Sequence, residues 1–197
     1  QKIRAEEEHV LLLAAADILQ GTPYFNMYHG ELEMKLMSQM KYDAATMGNH
    51  DFDAGIEGFD KTLPLVNFPF VCSNYNFEDT VLNGKTKDYH IIQKGPLKVG
   101  ILGLGVELDG LVSKNAYKDT QYLNPITVAQ QQADLLKEDL QCDIVICLSH
   151  LGYEYRYEKV SDVVLAAETS NIDLIIGGHT HTFLKAPTEL KNKKGKK

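Results

Sequence analysis

Residues 172–183 read IDLIIGGHTHTF. An apolar run of strand length enters two glycines and then two histidines separated by one threonine, which predicts a buried strand ending in a polar turn. The same form recurs upstream. CDIVICLSH at residues 142–150 is an apolar strand that ends in His150, and HVLLLAAAD at residues 9–17 is another that ends in Asp17. YDAATMG at residues 42–48 is a shorter strand that runs into Asn49 and His50.

Helical patterns separate these strands. Leu32, Leu36, Met37 and Met40 fall at helical spacing and predict a helix over about residues 28–40. Asn124 followed by Pro125 is a helix start, and it opens a helix through ITVAQQQADLLKEDL at residues 126–140. EKVSDVVLAAET, residues 158–169, predicts a third. FPFVCSN at residues 68–74 and KVGILGLG at residues 98–105 supply two more strands, with the turn-rich NFEDTVLNGKTKD between them. This is α/β order, and strands so continuously apolar imply a sheet covered on both faces by helices. The basic KNKKGKK at residues 191–197 reads as a solvated hairpin turn or tail.

Composition narrows the function classes. With 197 residues, 44% hydrophobic and 24% charged, the chain has the make-up of an ordinary globular domain, and one domain over residues 1–197 is expected. A net charge of −7 argues against a nucleic-acid partner, because phosphate-backbone affinity comes from clustered Lys and Arg. No apolar run is long enough to span a bilayer. The chain begins at Gln1 with no signal-peptide pattern, which suggests a processed or trimmed piece. Cys72, Cys142 and Cys147 are odd in number and lack CxxC spacing, so they read as core residues.

The polar residues can now be placed. Asp17, Asn49 with His50, His150, and His179 with His181 each follow a strand's C-terminal end, where the crevice of an open α/β sheet lies. Imidazoles, a carboxylate and a side-chain amide are donors suited to borderline divalent metals such as Zn, Mn or Fe. One ion held by both histidines of His-Thr-His is awkward, and a two-metal site is the natural alternative. Asp17 is the candidate bridge, since a carboxylate offers one oxygen to each ion. Gly48 permits the tight turn at Asn49 and His50. His9, His29 and His90 stand in contexts that read as structural or exposed. Tyr153, Tyr155 and Tyr157 beside Arg156 read as a half-exposed loop face after His150.

Three spaced motifs, GNHDFD at residues 48–53, LSHLGY at 148–153 and IIGGHTHTF at 175–183, together resemble the calcineurin-like metallophosphoesterases. DILQGTPYFNMYHG at residues 17–30 is similar to the 5′-nucleotidase branch, which includes UDP-sugar hydrolases and 2′,3′-cyclic phosphodiesterases. The resemblance runs over essentially the whole chain. It implies sheet layers flanked by helices, with Asp17 bridging two divalent ions, Asn49, His150 and His179 completing one site and His181 serving the other. It also implies that His50 acts at the scissile phosphate without binding metal and that Asp53 orients it, with a metal-activated water as nucleophile.

The family pattern further implies a phosphate-ester substrate of the nucleotide class, a separate nucleoside-binding domain or subunit, and an extracytoplasmic location, periplasmic or at the surface. The departures carry expectations of their own. No Asp-x-His precedes Asp17 and no returning strand follows residue 186, so the domain is expected to lack its first strand and its C-terminal strands and to hold metal at reduced occupancy. Ala16 stands where the branch has glycine and is expected to crowd the turn. The runner-up reading is a truncated or degenerate metal-binding module without turnover.

Overall fold

The computed structural model describes residues 2–21 and 23–196. It opens with α1 (Lys2–Glu6), β1 (Leu13–Ala15), α2 (Pro23–Tyr28), α3 (Glu31–Met40) and β2 (Ala44–Thr46). A 3-10 turn at Asn49–Phe52 leads to α4 (Ile56–Thr62), the short β3 (Tyr75–Asn76), β4 (Tyr89–Lys94) and β5 (Leu97–Leu104). Then come α5 (Lys114–Tyr117), β6 (Gln121–Tyr122), α6 (Pro125–Asp134) with a π-helical extension at Leu135–Asp139, β7 (Ile144–Ser149), α7 (Asp162–Glu168) and β8 (Leu174–Gly177).

Two sheets carry the architecture. In the larger, β4-β5-β7-β8, the β4–β5 pair is antiparallel, while β5–β7 and β7–β8 are parallel with Leu102 opposite Cys147 and Cys147 opposite Ile175. β1 and β2 form a separate parallel pair, Leu13 opposite Ala44. Strand period 2 sorts the apolar side chains onto two faces. Val99 and Ile101 of β5 and Ile146 and Leu148 of β7 meet Ala44 and Leu13 of the small sheet. Leu102, Leu104, Val145 and Cys147 turn the other way onto Ala129, Ala133 and Leu136 of the α6 helix and onto Leu165 of α7. The outer face of β1–β2 packs Ala45 and Met47 against Met34, Phe52, Phe59 and Phe70. The layers are thus helix, sheet, sheet, helix.

These are the sheet layers flanked by helices that the resemblance implies, and they correct the apolar pattern's expectation of one sheet with helices on both faces. Each sheet has helices on one face only, and the other sheet supplies the second apolar cover. A continuous apolar strand reports that both faces are buried without reporting by what.

Three segments differ from their sequence reading. The helix expected over residues 28–40 is broken at His29 and Gly30, whose φ angles are 50° and 92°, and α3 starts only at Glu31. Gly30 lies so close to Leu19 that a Cβ there would stand 2.4 Å from a leucine methyl, so the break lets the loop after β1 pack against α3. Residues 68–74 are extended but form bridges only, Phe70 with Ala45 and Val71 with Lys87. Pro69 cannot donate to a ladder, and the segment crosses from β2, where Val71 N–H donates to Ala45, to β5, where Ser73 N–H donates to Gly103. Of residues 9–17, only Leu13–Ala15 are strand. At the C-terminus, Asn192 Oδ1 accepts the N–H groups of Lys194 and Lys196 in the anticipated turn, whose last residue, Lys197, lies outside the described residues.

Candidate metal centre

Asp17 follows β1 by two residues, Asn49 follows β2, His150 follows β7 directly and His179 follows β8. Four loops from two sheets therefore bring their polar residues to one edge of the sandwich. Close approach requires two glycines. A Cβ on Gly48 would lie 2.1 Å from both Ala16 O and Asp17 Oδ1 and 2.7 Å from His150 Cε1. One on Gly178 would lie 2.4 Å from Ala15 O and 2.9 Å from His150 Nδ1. Ala16 is not among the described residues with left-handed backbone, so its methyl needs no strained conformation; the tight contact sits at Gly48.

His150 is buried, and its Nδ1 lies 3.2 Å from Ala15 O, so Nδ1 carries a proton and, in the neutral ring, Nε2 carries a lone pair. Nε2 stands 3.1 Å from Asp17 Oδ2, an ion-pair distance, but off the direction of a hydrogen bond, and finds no other partner among the described residues. A buried lone pair with no donor facing it is what a metal ligand presents. His179 Nδ1 lies 2.9 Å from Asn49 Oδ1, and the rings of His150 and His179 are 5.2 Å apart between centroids. Both His179 and His181 adopt left-handed backbone, φ 69° and 51°. Strain of this kind persists where surrounding structure enforces it.

Electrostatics follow the same pattern. Burial works against the charged Asp17 carboxylate, but the adjacent His150 ring in its protonated form and the amide and ring of His50 outweigh it and hold the carboxyl below its ordinary value. Burial, followed by the neighbouring His150 and Lys159, pushes the His179 imidazole down to about 4, so its ring is neutral at physiological pH. His50 is half exposed, and its Nδ1 lies 2.8 Å from Asp53 Oδ2, while its backbone N–H donates to Asp17 Oδ1 at 2.9 Å. Burial lowers the His50 pKa, yet the Asp53 hydrogen bond and the charges of Asp17, Asp53 and Asp51 raise it further, for a net upward shift.

Asp17, Asn49, His50, His150 and His179 thus stand together, with Asp53 behind His50. His181, two residues on from His179, is exposed. Among the described residues no three His, Cys, Asp or Glu side chains close around a common point. The donors instead face one another in two pairs, Asp17 with His150 and Asn49 with His179. Their chemistry and the orphaned Nε2 fit a divalent ion at this edge.

Two residues escaped the sequence reading. Asp51 is fully buried behind the Asn49 turn. Thr180 accepts the Tyr153 N–H through Oγ1 at 2.9 Å, joining the His150 and His179 loops. An acid inside GNHDFD and the middle residue of His-Thr-His were the available signals, but neither type betrays its role without the fold. The three cysteines are free and buried as expected, and the rings of Tyr155 and Tyr157 meet tilted, with centroids 5.5 Å apart, on the loop after His150.

Residues 1–183 match the family model described as calcineurin-like phosphoesterase. The chain is similar to the 5′-nucleotidase of Bos taurus, 35% identical over 187 residues, covering 93% of this chain and 31% of that protein. It is 34% identical over 188 residues to the snake venom 5′-nucleotidase of Crotalus adamanteus, with the same coverage of each. The crystal structure of a 5′-nucleotidase precursor from Thermus thermophilus superposes with a TM-score of 0.88 at 31% identity, over 98% of this chain and 39% of that one. The chain therefore spans about a third of the length of these relatives.

Proposed function

The chain belongs to the calcineurin-like phosphoesterase family, and from that premise we propose that it is the metal-binding part of a phosphohydrolase acting on nucleotide phosphate esters. The observation that carries the reading is the buried His150 Nε2, which faces the Asp17 carboxylate without a donor between them. Asp17, Asn49, His150 and His179 would hold a divalent cation of the Zn, Mn or Fe type, with Asp17 and His181 left as donors for a second. Such a cation supplies Lewis acidity toward a phosphoryl oxygen and toward water.

The chain's own residues do the rest. Asp53 fixes the His50 ring by accepting from Nδ1, which leaves Nε2 as the atom that exchanges a proton. Its raised pKa favours the protonated ring, so His50 is suited to stabilise charge on the phosphate and to protonate the leaving oxygen. The His50 amide on Asp17 couples this acid to the metal-holding carboxylate. His179, kept neutral by burial, offers its lone pair without first losing a proton.

The nucleotide class is supported by the relatives named 5′-nucleotidase, and a separate nucleoside-binding domain or subunit by their greater length. An extracytoplasmic setting is supported by the venom relative; among the described residues no helix is long and apolar enough to cross a membrane. The exposed His181 favours a second reading, a one-ion binding module without turnover. Assay with Mn²⁺ or Zn²⁺ against AMP and a chromogenic phosphate ester decides between them. Metal-dependent release of phosphate, lost in Asn49→Ala and in His179→Ala, is expected; turnover surviving both substitutions sinks the site, and one tightly held ion with no turnover supports the module.

A further inference from the structure

The loops that carry Asp17 and Asn49 come from different strands and must be held in register for their donors to meet. Asp51 lies between them, wholly buried. Its Oδ1 accepts the N–H groups of Ile18 at 2.9 Å and Leu19 at 3.2 Å, directly after Asp17. Its Oδ2 accepts the Gly48 N–H at 2.9 Å, directly before Asn49. One carboxylate thus satisfies three backbone donors from two loops whose strand pairing ends before that point, at Ala15 opposite Thr46.

We propose that Asp51 is a positioning residue that fastens the Asp17 loop to the Gly48–Asn49 turn, so that the cation-holding donors are set before any ion arrives. The inference rests on the metal site proposed above. A carboxylate is required because both of its oxygens accept; an asparagine would turn an N–H₂ group toward an N–H on one side and open that half of the clamp. Outer residues that orient ligands in this way contribute roughly 10- to 100-fold to metal affinity.

Two measurements on the full chain test this. In the metal-free protein, amide hydrogen exchange at Ile18, Leu19 and Gly48 is expected to be slow already; amides that exchange freely until Zn²⁺ is added would overturn the proposal, since the ion would then be arranging the loops. In Asp51→Asn, calorimetric titration with Zn²⁺ is expected to give affinity roughly 10- to 100-fold weaker, with the far-ultraviolet circular dichroism retained and Asp51→Glu recovering part of the loss. A folded Asp51→Asn that binds Zn²⁺ like the wild type reduces the residue to a structural part and overturns the inference. If Asp51→Asn does not fold, the exchange measurement on the wild type decides. Asp17→Ala is the control: equal Zn²⁺ binding by it and the wild type defeats the site itself rather than the clamp.

Discussion

His179 and His181 stand two residues apart on one loop, both with left-handed backbone, and they end in different chemical settings. His179 is tucked against His150, bonded to Asn49 and held neutral by its surroundings. His181 is exposed to solvent. The difference teaches that a donor's type does not make a ligand. Burial strips water from the donor, and neighbours fix its direction; His179 is half-buried with Asn49 and His150 beside it, whereas His181 is exposed.

The largest effect expected from this contrast is on metal binding. His179→Ala should abolish the tighter binding event in a Zn²⁺ titration, whereas His181→Ala should leave that event in place and remove only a weaker one. Two tightly held ions per wild-type chain by elemental analysis would break the comparison. Next, His50→Ala should lower kcat by about 10²- to 10⁴-fold as a general acid is lost, with the metal stoichiometry unchanged; a parallel fall in bound metal would move His50 into the ligand set.

Smaller effects sharpen the packing side. Gly48→Ala forces a methyl into the space of Ala16 O and Asp17 Oδ1, and a loss of about 1–3 kcal/mol in denaturant unfolding is expected, together with weaker Zn²⁺ binding. Unchanged stability would mean that the two loops are free to part. The smallest effect concerns Asp162, behind the His150 strand. Burial pushes its carboxyl up to about 6, against the opposing pull of the Ser149 hydroxyl, 2.5 Å away, and of His150. The folded protein then holds this proton more tightly than the unfolded chain does. Its cost to stability is absent below about pH 4, grows as pH rises and is complete above about pH 6. Asp162→Asn should therefore gain about 1–2 kcal/mol near pH 7.5, after loss of the helix-dipole contribution of an acid in the first turn of α7, and gain nothing near pH 4. Equal melting shifts at both pH values would contradict this.

Much of the candidate cluster was legible before folding. Asp17, Asn49, His150 and His179 announce themselves because each interrupts an apolar run at its end, and the ends of parallel strands share an edge. His50 stood beside Asn49 at the same strand end, and the shared motifs added Asp53 as its expected partner, with which its ring is paired. The layer arrangement was legible only through the shared motifs, which imply sheet layers flanked by helices; the apolar pattern alone does not carry it, since Val99, Leu102, Ile146 and Cys147 have the same apolar character whether a helix or a second sheet covers them. The helix break at His29 and Gly30 was hidden for a similar reason: the apolar spacing of α3 continues past it, and only the approach of Leu19 demands it.

By itself, the order of amino acids determined which side chains stop the strands and which donors they offer, because strand length and a polar terminus are local properties of the chain. Only the tertiary structure decided which apolar faces of the strands meet a helix and which meet the other sheet, that Asp51 spans two loops, and that His179 is half-buried against His150 and Asn49 while His181 faces water. Those outcomes depend on which surfaces meet across the chain and on where that meeting excludes solvent, and no local pattern of residues carries that information.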